Sequence, residues 1–372
     1  MQGLGGMPGG SPPTVFVAQS QPWKAGGGAA VHAWAVIERL ARRGFTVIAQ
    51  GEAGPPGVEI VPFGRRGTLA AVRRADVLYI RVDGELNRER STAYAWLRRP
   101  RPAVVWEVNA TVAELSTFGR DPKQVARQQR KRTLLARGCD RAVVVSDELV
   151  SYARDALGIS EVTVVENGAE LPEEMPPPSA TSPLERLGFV ALWMGSGWFP
   201  WQAVDTAVET ARVLETKDPD VTVAVVGSAR PREVTAPPSA LILGQARREE
   251  AAAHLRASAV ALCLYHDTPW APDGFYMSPV KLFEAWSAGV PVIATDLSSI
   301  RRIVRDGETG LLVADDPAAV ADAIVRLKND PGLRERLVDG GRKAVREHYN
   351  WDRTADQVAE VLRAAIAARR NR

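Results

Sequence analysis

The feature that most constrains this 372-residue chain is a pair of series in which short β-branched runs alternate with helical segments. The first series begins with a run at 14–18, an amphipathic stretch and a second run at 45–49. Gly44 stands where a helix end takes a left-handed residue, and Arg42 and Arg43 precede it, where the helix dipole favours cations. This alternation predicts strand–helix–strand units and hence a largely parallel sheet with helices on both faces.

A Pro-rich segment separates the two series. Residues 172–183 are rich in Pro, Glu and Ser, a composition that builds no core and is typical of a connector. Further strands are predicted before it at 77–81, 103–108, 141–145 and 162–165, and after it at 190–194, 221–226, 241–243, 260–264 and 291–295. We therefore predict an α/β protein of two Rossmann-like doubly wound domains that face each other across a cleft.

The same patterns predict where each part of the chain begins and ends. The predicted parts are a disordered leader at 1–13, an N-terminal domain at 14–172, a linker at 173–187, a C-terminal domain at 188–348 and a helix within 349–372. The last helix has one apolar face, and we expect it to pack back on the N-terminal domain.

Composition excludes several classes of protein. Hydrophobic residues make up 45% and charged residues 24%, and no apolar run is long enough to cross a bilayer. The net charge of +3 gives no case for nucleic acid as a partner. The N-terminal residues lack the basic start and apolar run of a signal peptide, and Cys139 and Cys263 suit reduced core thiols. These features predict a cytoplasmic protein.

The segment 273–286 carries the pattern most typical of a binding site. Ser278 suits a helix N-cap and Pro279 a first helical position, so a helix start should present free backbone N–H groups to an anion. Lys281 in the first turn opposes the helix dipole unless an anion lies nearby. Glu284 lies one turn after Val280, where a carboxylate can accept hydrogen bonds from ribose hydroxyls. The alternative is an ordinary capped helix with a solvated lysine and glutamate.

Two glycine turns occupy matching places in the two series. Gly26, Gly27 and Gly28 follow the first predicted strand, and Gly195, Ser196 and Gly197 follow the first strand of the second series. Glycine allows a ligand to approach the backbone closely at the carboxyl edge of a sheet. The two turns are expected to face each other across the cleft.

Four stretches, taken with this order, resemble the family 4 retaining glycosyltransferases of the GT-B fold. They are SPVKLFEAWSAGVPVIAT with DGETGLLV, GGGAAVHAWAVIERLARRGFTV, VVVSDELV running on to VVENGAELP, and MGSGWFPWQAVDTAVE. The resemblance covers nearly the whole chain. It implies a GT-B fold with the nucleotide-sugar donor on the C-terminal domain and the acceptor on the N-terminal domain. It also implies transfer with retention of anomeric configuration.

Residue roles follow from the resemblance position by position. It makes Glu284 the ribose ligand and Lys281 a diphosphate ligand and catalytic residue, and it puts Gln245 and Ala246 beside the base. Trp351 would open the helix that crosses back. Together with the glycine turns, the expected donor-binding residues are Gly27, Gly28, Ser196, Gly197, Gln245, Ala246, Tyr276, Met277, Ser278, Pro279, Val280, Lys281 and Glu284.

The chain departs from the family's pattern at four positions. The family often has glutamate in place of Tyr276, arginine near Gly197, lysine at Gln202 and histidine near Asn109. The first of these normally touches the donor sugar, so the identity of the sugar stays open. Asn109 is the second candidate catalytic residue, since its amide can hydrogen-bond a sugar hydroxyl, although it cannot act as an acid or base. Glu107 is interpreted as pointing to the opposite strand face.

Several weaker signals bear on cofactors and partners. No histidine shows metal-ligand spacing, so we expect no metal and no cofactor beyond the nucleotide-sugar co-substrate. The acceptor is a small molecule, a glycan or a lipid-linked molecule, and the basic run 123–138 allows peripheral membrane contact. His32 is interpreted as structural, and Trp198 and Trp201 as either sugar-stacking or core residues.

Two other functions remain open. A nicotinamide-dependent oxidoreductase would use the N-terminal glycine turn, but the turn lacks the G-x-G-x-x-G spacing. A non-catalytic protein that binds a sugar nucleotide, or an accessory protein of the same fold, would fit the four departures. Detection of sugar transfer, rather than of binding alone, separates the enzyme from this second alternative.

Overall fold

The computed structural model describes residues 11–19, 28–85, 88–175, 180–228, 236–271 and 273–371. Its first half forms a parallel sheet of seven strands in the order β3-β2-β1-β4-β5-β6-β7. The strands are β1 (Thr14–Ala18), β2 (Thr46–Gln50), β3 (Glu59–Val61), β4 (Val77–Val82), β5 (Ala103–Val108), β6 (Arg141–Val144) and β7 (Val162–Val164). The order reverses beside β1, which is the doubly wound topology predicted from the sequence.

The second half forms a parallel sheet of six strands in the order β10-β9-β8-β11-β12-β13. The strands are β8 (Phe189–Ser196), β9 (Val221–Ser228), β10 (Ala240–Gly244), β11 (Val260–Cys263), β12 (Val292–Thr295) and β13 (Leu311–Val313). Both sheets consist of buried β-branched runs because parallel strands are covered on both faces. The predicted two-domain α/β class is confirmed.

Helices cover both sheets. Those of the first half are α1 (Gly28–Arg42), α2 (Arg65–Arg74), α3 (Ser91–Trp96) and α4 (Pro122–Ala136). Those that follow are α5 (Val204–Lys217), α6 (Arg248–Arg256), α7 (Val280–Ala288), α8 (Ser298–Ile303), α9 (Pro317–Asn329), α10 (Pro331–Glu347) and α11 (Trp351–Arg370). Gly44 adopts the expected left-handed conformation after α1, with φ of 79°. No described helix combines the length and apolar character that crossing a bilayer requires.

The last helix crosses back to the first sheet, as predicted. Val358 and Leu362 of α11 are buried in the same apolar cluster as Leu40 of α1 and Val105 of β5. At the edge of this contact, Arg43 binds the Asp352 carboxylate at 2.9 Å. The helix therefore completes one apolar face of the first domain rather than packing on the second.

Two connecting segments run side by side where the chain passes between the sheets. Ala169 and Asn350 form an isolated parallel bridge, and the Trp351 N–H donates to the Ala169 carbonyl at 3.1 Å. A Cβ atom on Gly168 would lie 2.5 Å from the carbonyl carbon of Asn350. Only glycine therefore allows this close crossing of two backbones.

Some sequence predictions fall outside the described residues. They concern residues 1–10 of the predicted leader, Gly26 and Gly27 of the first glycine turn, and residues 176–179 of the predicted linker. The following part of the linker is folded, since Pro183–Arg186 forms a 3-10 turn that is capped by Ser182. Leu184 in this turn is buried in the core of the second domain.

Candidate functional site

The segment before α7 joins the cores of the two domains. Phe275 is buried in an apolar cluster of the second domain, whereas the next residue, Tyr276, is buried in a cluster of the first. Gly28 at the start of α1 also approaches this segment, because a Cβ atom there would lie 3.6 Å from Val280 Cγ2. The start of α7 thus lies at the boundary between the two domains.

The prediction that Ser278 caps the helix is wrong. The N-cap is Pro279, and no side-chain hydrogen bond caps α7. Ser278 Oγ instead accepts a hydrogen bond from the backbone N–H of Asn167 at 3.0 Å, and the Ser278 carbonyl accepts from Asn167 Nδ2 at 2.8 Å. The hydroxyl that could cap the helix is used in this contact between the domains.

The helix start nevertheless offers unpaired donors. Among the described residues, the backbone N–H groups of Met277, Ser278, Val280 and Lys281 make no hydrogen bond. A helix of nine residues follows, and its dipole places partial positive charge at the same point. Free amides and a helix dipole together form an anion-binding site.

Lys281 is half-buried rather than solvated. Its Nζ donates to Gln202 Oε1 at 2.9 Å and lies 4.4 Å above the centre of the Tyr265 ring. Burial lowers the pKa of Lys281 to about 8, with a small opposing effect from Cys263. Gln202 Oε1 also lies 3.0 Å from the position of a Cβ atom on Gly195. The ammonium group is therefore beside the second glycine turn.

Glu284 has a different environment. Among the described residues, its carboxylate makes no hydrogen bond or ion pair. Burial, and to a lesser degree the Glu170 carboxylate, raises the pKa of Glu284 to about 7, and Arg248 of α6 partly opposes this effect. A half-buried carboxyl group without a partner has free acceptor capacity for hydroxyl groups.

The remaining predicted donor-binding residues lie at the carboxyl edge of the second sheet. Ser196 ends β8, and its hydroxyl lies 3.1 Å from that of Ser228 at the end of β9. The Gly197 N–H donates to the Ser228 carbonyl. Gln245 is exposed and Ala246 half-buried just after β10. In parallel α/β sheets this edge is where ligands bind.

Asn109 lies in a polar cluster of the first domain. Its Nδ2 donates to Glu107 Oε1 at 2.7 Å, and Arg81 donates to the same carboxylate oxygen at 2.8 Å. The prediction that Glu107 faces away from Asn109 is therefore wrong, because residues two apart on a strand share a face. Burial alone would raise the pKa of Glu107, but His32 and Arg81 hold it well below its usual value.

Sequence reasoning missed the role of His32 in connecting this cluster to the donor segment. Its Nε2 lies 3.0 Å from Glu107 Oε2 and its Nδ1 lies 2.6 Å from Asn167 Oδ1. Since Asn167 also binds Ser278, buried hydrogen bonds run from β5 to the start of α7. The one signal in the sequence is that Glu107 and Asn167 occur at or just after the ends of buried strands.

Sequence reasoning also missed a contact between Tyr276 and Glu114. The Tyr276 hydroxyl accepts from the Thr111 N–H and donates to Glu114 Oε2, both at 3.3 Å. Burial, followed by the Asp83 carboxylate, raises the pKa of Glu114 to about 7. A carboxyl group of the first domain thus lies directly against the donor segment of the second.

The tryptophans near the second glycine turn differ in burial. Trp201 is 5% exposed and packs edge-on against Phe118 and Trp270, so it is a core residue at the domain boundary. Trp198 is 60% exposed, and Phe199 beside it is 40% exposed. Trp198 therefore remains available to stack on a ligand.

Comparison with known proteins agrees with the second-domain pattern. Residues 188–330 match the family described as "Glycosyl transferases group 1". A phosphatidyl-myo-inositol mannosyltransferase of Mycobacterium leprae is 34% identical over 227 residues, which cover 59% of this chain and 58% of the relative. A D-inositol 3-phosphate glycosyltransferase of Acidothermus cellulolyticus is 47% identical over 88 residues, 23% of this chain and 19% of the relative. The matches span less than two thirds of each relative.

Solved structures show the same arrangement of both domains. Sucrose-phosphate synthase from Thermosynechococcus elongatus has a TM-score of 0.70 at 17% identity, with 96% of this chain and 100% of that chain covered. Anabaena HepE in complex with UDP-glucose has a TM-score of 0.69 at 17% identity, with 95% and 100% covered. By its fold the protein is a GT-B protein. The match of residues 188–330 to the group 1 glycosyltransferases agrees with the resemblance seen in the sequence.

Proposed function

We propose that this protein transfers a sugar from a nucleoside-diphosphate sugar to an acceptor, with retention of anomeric configuration and without a metal ion. The observation that carries the proposal is the start of α7, where free backbone N–H groups lie in the cleft beside Lys281. Glu284 follows within one turn, with an unpaired carboxyl group for the ribose. The nucleotide base would lie beyond it, beside Gln245 and Ala246.

Charge at the leaving group decides which residues matter for the reaction. When the bond between the anomeric carbon and the phosphate oxygen breaks, the sugar gains positive charge and the nucleoside diphosphate gains negative charge. Donors that are already oriented stabilise such charge without reorganisation, so the helix start and Lys281 would act most strongly in the transition state. Closure of the domains would keep water from the donor.

The side chains of the described residues support a mechanism without a metal ion. Among the described residues, no group of three or more His, Cys, Asp or Glu side chains has the geometry to hold a metal ion. The positive charge at the diphosphate would come from the protein itself. Transfer should therefore continue in EDTA, and a loss of transfer that Mg²⁺ or Mn²⁺ restores would contradict this part of the proposal.

The relatives suggest the first acceptors to test. Both named relatives carry an inositol compound in their names, one a phosphatidylinositol and one an inositol phosphate. We propose that the first domain binds a polyol acceptor of this kind, free or lipid-linked, next to Asn109. We also infer a cytoplasmic location, which the free thiols of Cys139 and Cys263 support.

The proposal is tested in two steps. Thermal unfolding is first measured with a panel of nucleotide sugars, because a ligand that binds only the folded protein raises Tm. The stabilising donor is then incubated with inositol, inositol phosphates and phosphatidylinositol vesicles, and products are detected by mass spectrometry. Glycosylated product is the expected result.

Binding without transfer to any acceptor would favour a non-catalytic protein that binds a sugar nucleotide. One observation supports this alternative: Gln202 and Gly197 provide no positive charge beside the glycine turn, so that Lys281 is the cation found there among the described residues. No stabilisation by any nucleotide sugar would contradict both functions.

A further inference from the structure

Four buried or half-buried acidic side chains lie near the carboxyl ends of β4 and β5, and three of them are paired with cations. Asp83 and Glu107 bind Arg81 at 3.1 and 2.8 Å, and Glu89 binds Arg132 at 2.7 Å. Glu114 is the exception, since none of the described residues forms an ion pair with it. An acidic group that is half-buried without a cation lowers stability unless it has another role.

Glu114 is held against the donor segment by contacts with neighbouring residues. The Tyr276 hydroxyl donates to its Oε2, two residues before Ser278. A Cβ atom on Gly84 would lie 3.3 Å from the Glu114 carboxyl carbon, so glycine at this position leaves room for the carboxyl group. Arg132 binds the carbonyl of Gly84 at 3.2 Å and fixes that loop.

The second carboxylate oxygen of Glu114 is free of protein partners among the described residues. Its Oε2 contacts Tyr276, whereas its Oε1 has no protein hydrogen bond. With a pKa of about 7, the group can accept or donate a hydrogen bond at neutral pH. Both properties suit a partner that has hydroxyl groups.

A sugar joined to a diphosphate at the start of α7 has to lie next to that helix start, on the side that faces the first domain. Glu114 is the acidic residue of the first domain that contacts this segment through Tyr276. We propose that Glu114 hydrogen-bonds a hydroxyl group of the donor sugar and so contributes to recognition of the sugar rather than of the nucleotide. This inference rests on the proposed function.

Binding of a nucleotide sugar and of its parent nucleotide separates this role from others. Calorimetry with UDP-glucose, GDP-mannose, UDP and GDP compares the wild type with Glu114→Gln and Glu114→Ala. For the sugar nucleotide that binds, Kd should rise about tenfold in Glu114→Ala and less in Glu114→Gln, which keeps a donor and an acceptor. The Kd of the parent nucleotide should stay within about twofold. Glu161→Gln, a surface carboxylate paired with Arg141, is the matched control.

Stability distinguishes a binding role from a structural one. Glu114→Gln, which removes the charge but keeps an acceptor for the Tyr276 hydroxyl, should leave Tm unchanged or raise it, whereas loss of a structural group lowers Tm. Equal losses for sugar nucleotide and nucleotide, no loss for either, or a lowered Tm of Glu114→Gln would each overturn the assignment of Glu114. If neither these four probes nor any sugar nucleotide of the thermal panel binds the wild type, the proposed function fails with it. If the wild type binds a sugar nucleotide and both Glu114 variants bind it equally well, only the assignment of Glu114 is wrong.

Discussion

Lys281 and Glu284 lie within one turn of each other on α7, yet their surroundings predict different roles. Lys281 is held by Gln202 and by an aromatic ring near the glycine turn, while Glu284 has no partner among the described residues. The lysine is therefore suited to the charged diphosphate, and the glutamate to neutral hydroxyl groups.

Substitution of these two residues should affect different kinetic constants. Lys281→Ala should lower kcat by about a hundredfold and change donor KM less, because the leaving group gains charge in the transition state. Glu284→Gln should mainly weaken donor binding, by about 1–2 kcal/mol, because ribose barely changes during transfer. Steady-state kinetics with varied donor concentration measures kcat and donor KM of both variants. Lys343→Ala on the exposed face of α10 is the control. Near-normal transfer by Lys281→Ala would remove this residue from the mechanism.

The lowered pKa of Lys281 should make sugar transfer less efficient at alkaline pH. Because burial lowers that pKa to about 8, the charged fraction falls as the pH rises through this value. The value of kcat/KM, which reports the free enzyme, should fall above about pH 8. In Lys281→Arg the guanidinium stays charged, so the fall should disappear even if overall activity is lower. A pH profile unchanged by this substitution would assign the alkaline limit to another group.

At the level of elements, the crossing of two backbones at Gly168 requires a residue without a side chain at this position. Gly168→Ala would push a methyl group into the backbone of Asn350 and should lower the free energy of unfolding by about 1–3 kcal/mol. Gly188→Ala is the control, because the nearest atom to its Cβ position is 3.7 Å away. Urea denaturation of both variants measures the difference. Equal stability of the two would show that the crossing relaxes at little cost.

Strands and helices were predictable because their signals are local. The apolar run of β5 predicts a strand and the glycine after α1 predicts a helix end, and each signal lies within a few residues. The contacts that build the site are not local: 135 residues separate His32 from Asn167, and 162 separate Glu114 from Tyr276. Ser278 shows how such a contact overrides a local preference, since its hydroxyl binds Asn167 instead of capping α7.

At the scale of the whole molecule, α11 makes the first domain depend on the end of the described chain. Leu362 is fully buried against the first sheet, so Leu362→Asp would place a charge without a partner in that core. We expect the first domain of this variant to unfold at a lower temperature than the second, which gives two transitions in calorimetry. Glu360→Ala on the exposed face of the same helix should keep the wild-type profile. A single transition at unchanged temperature in Leu362→Asp would contradict this dependence.

The position of α11 also sets an order of events on the ribosome. The apolar face made by β1, β4 and β5 is synthesised early, but the helix that covers it follows the whole second domain. At usual elongation rates, roughly 10 to 50 seconds pass before α11 covers that face. The second domain can therefore finish folding while the first is still incomplete. During that interval the nascent first domain is the part of the chain that most needs protection by a chaperone.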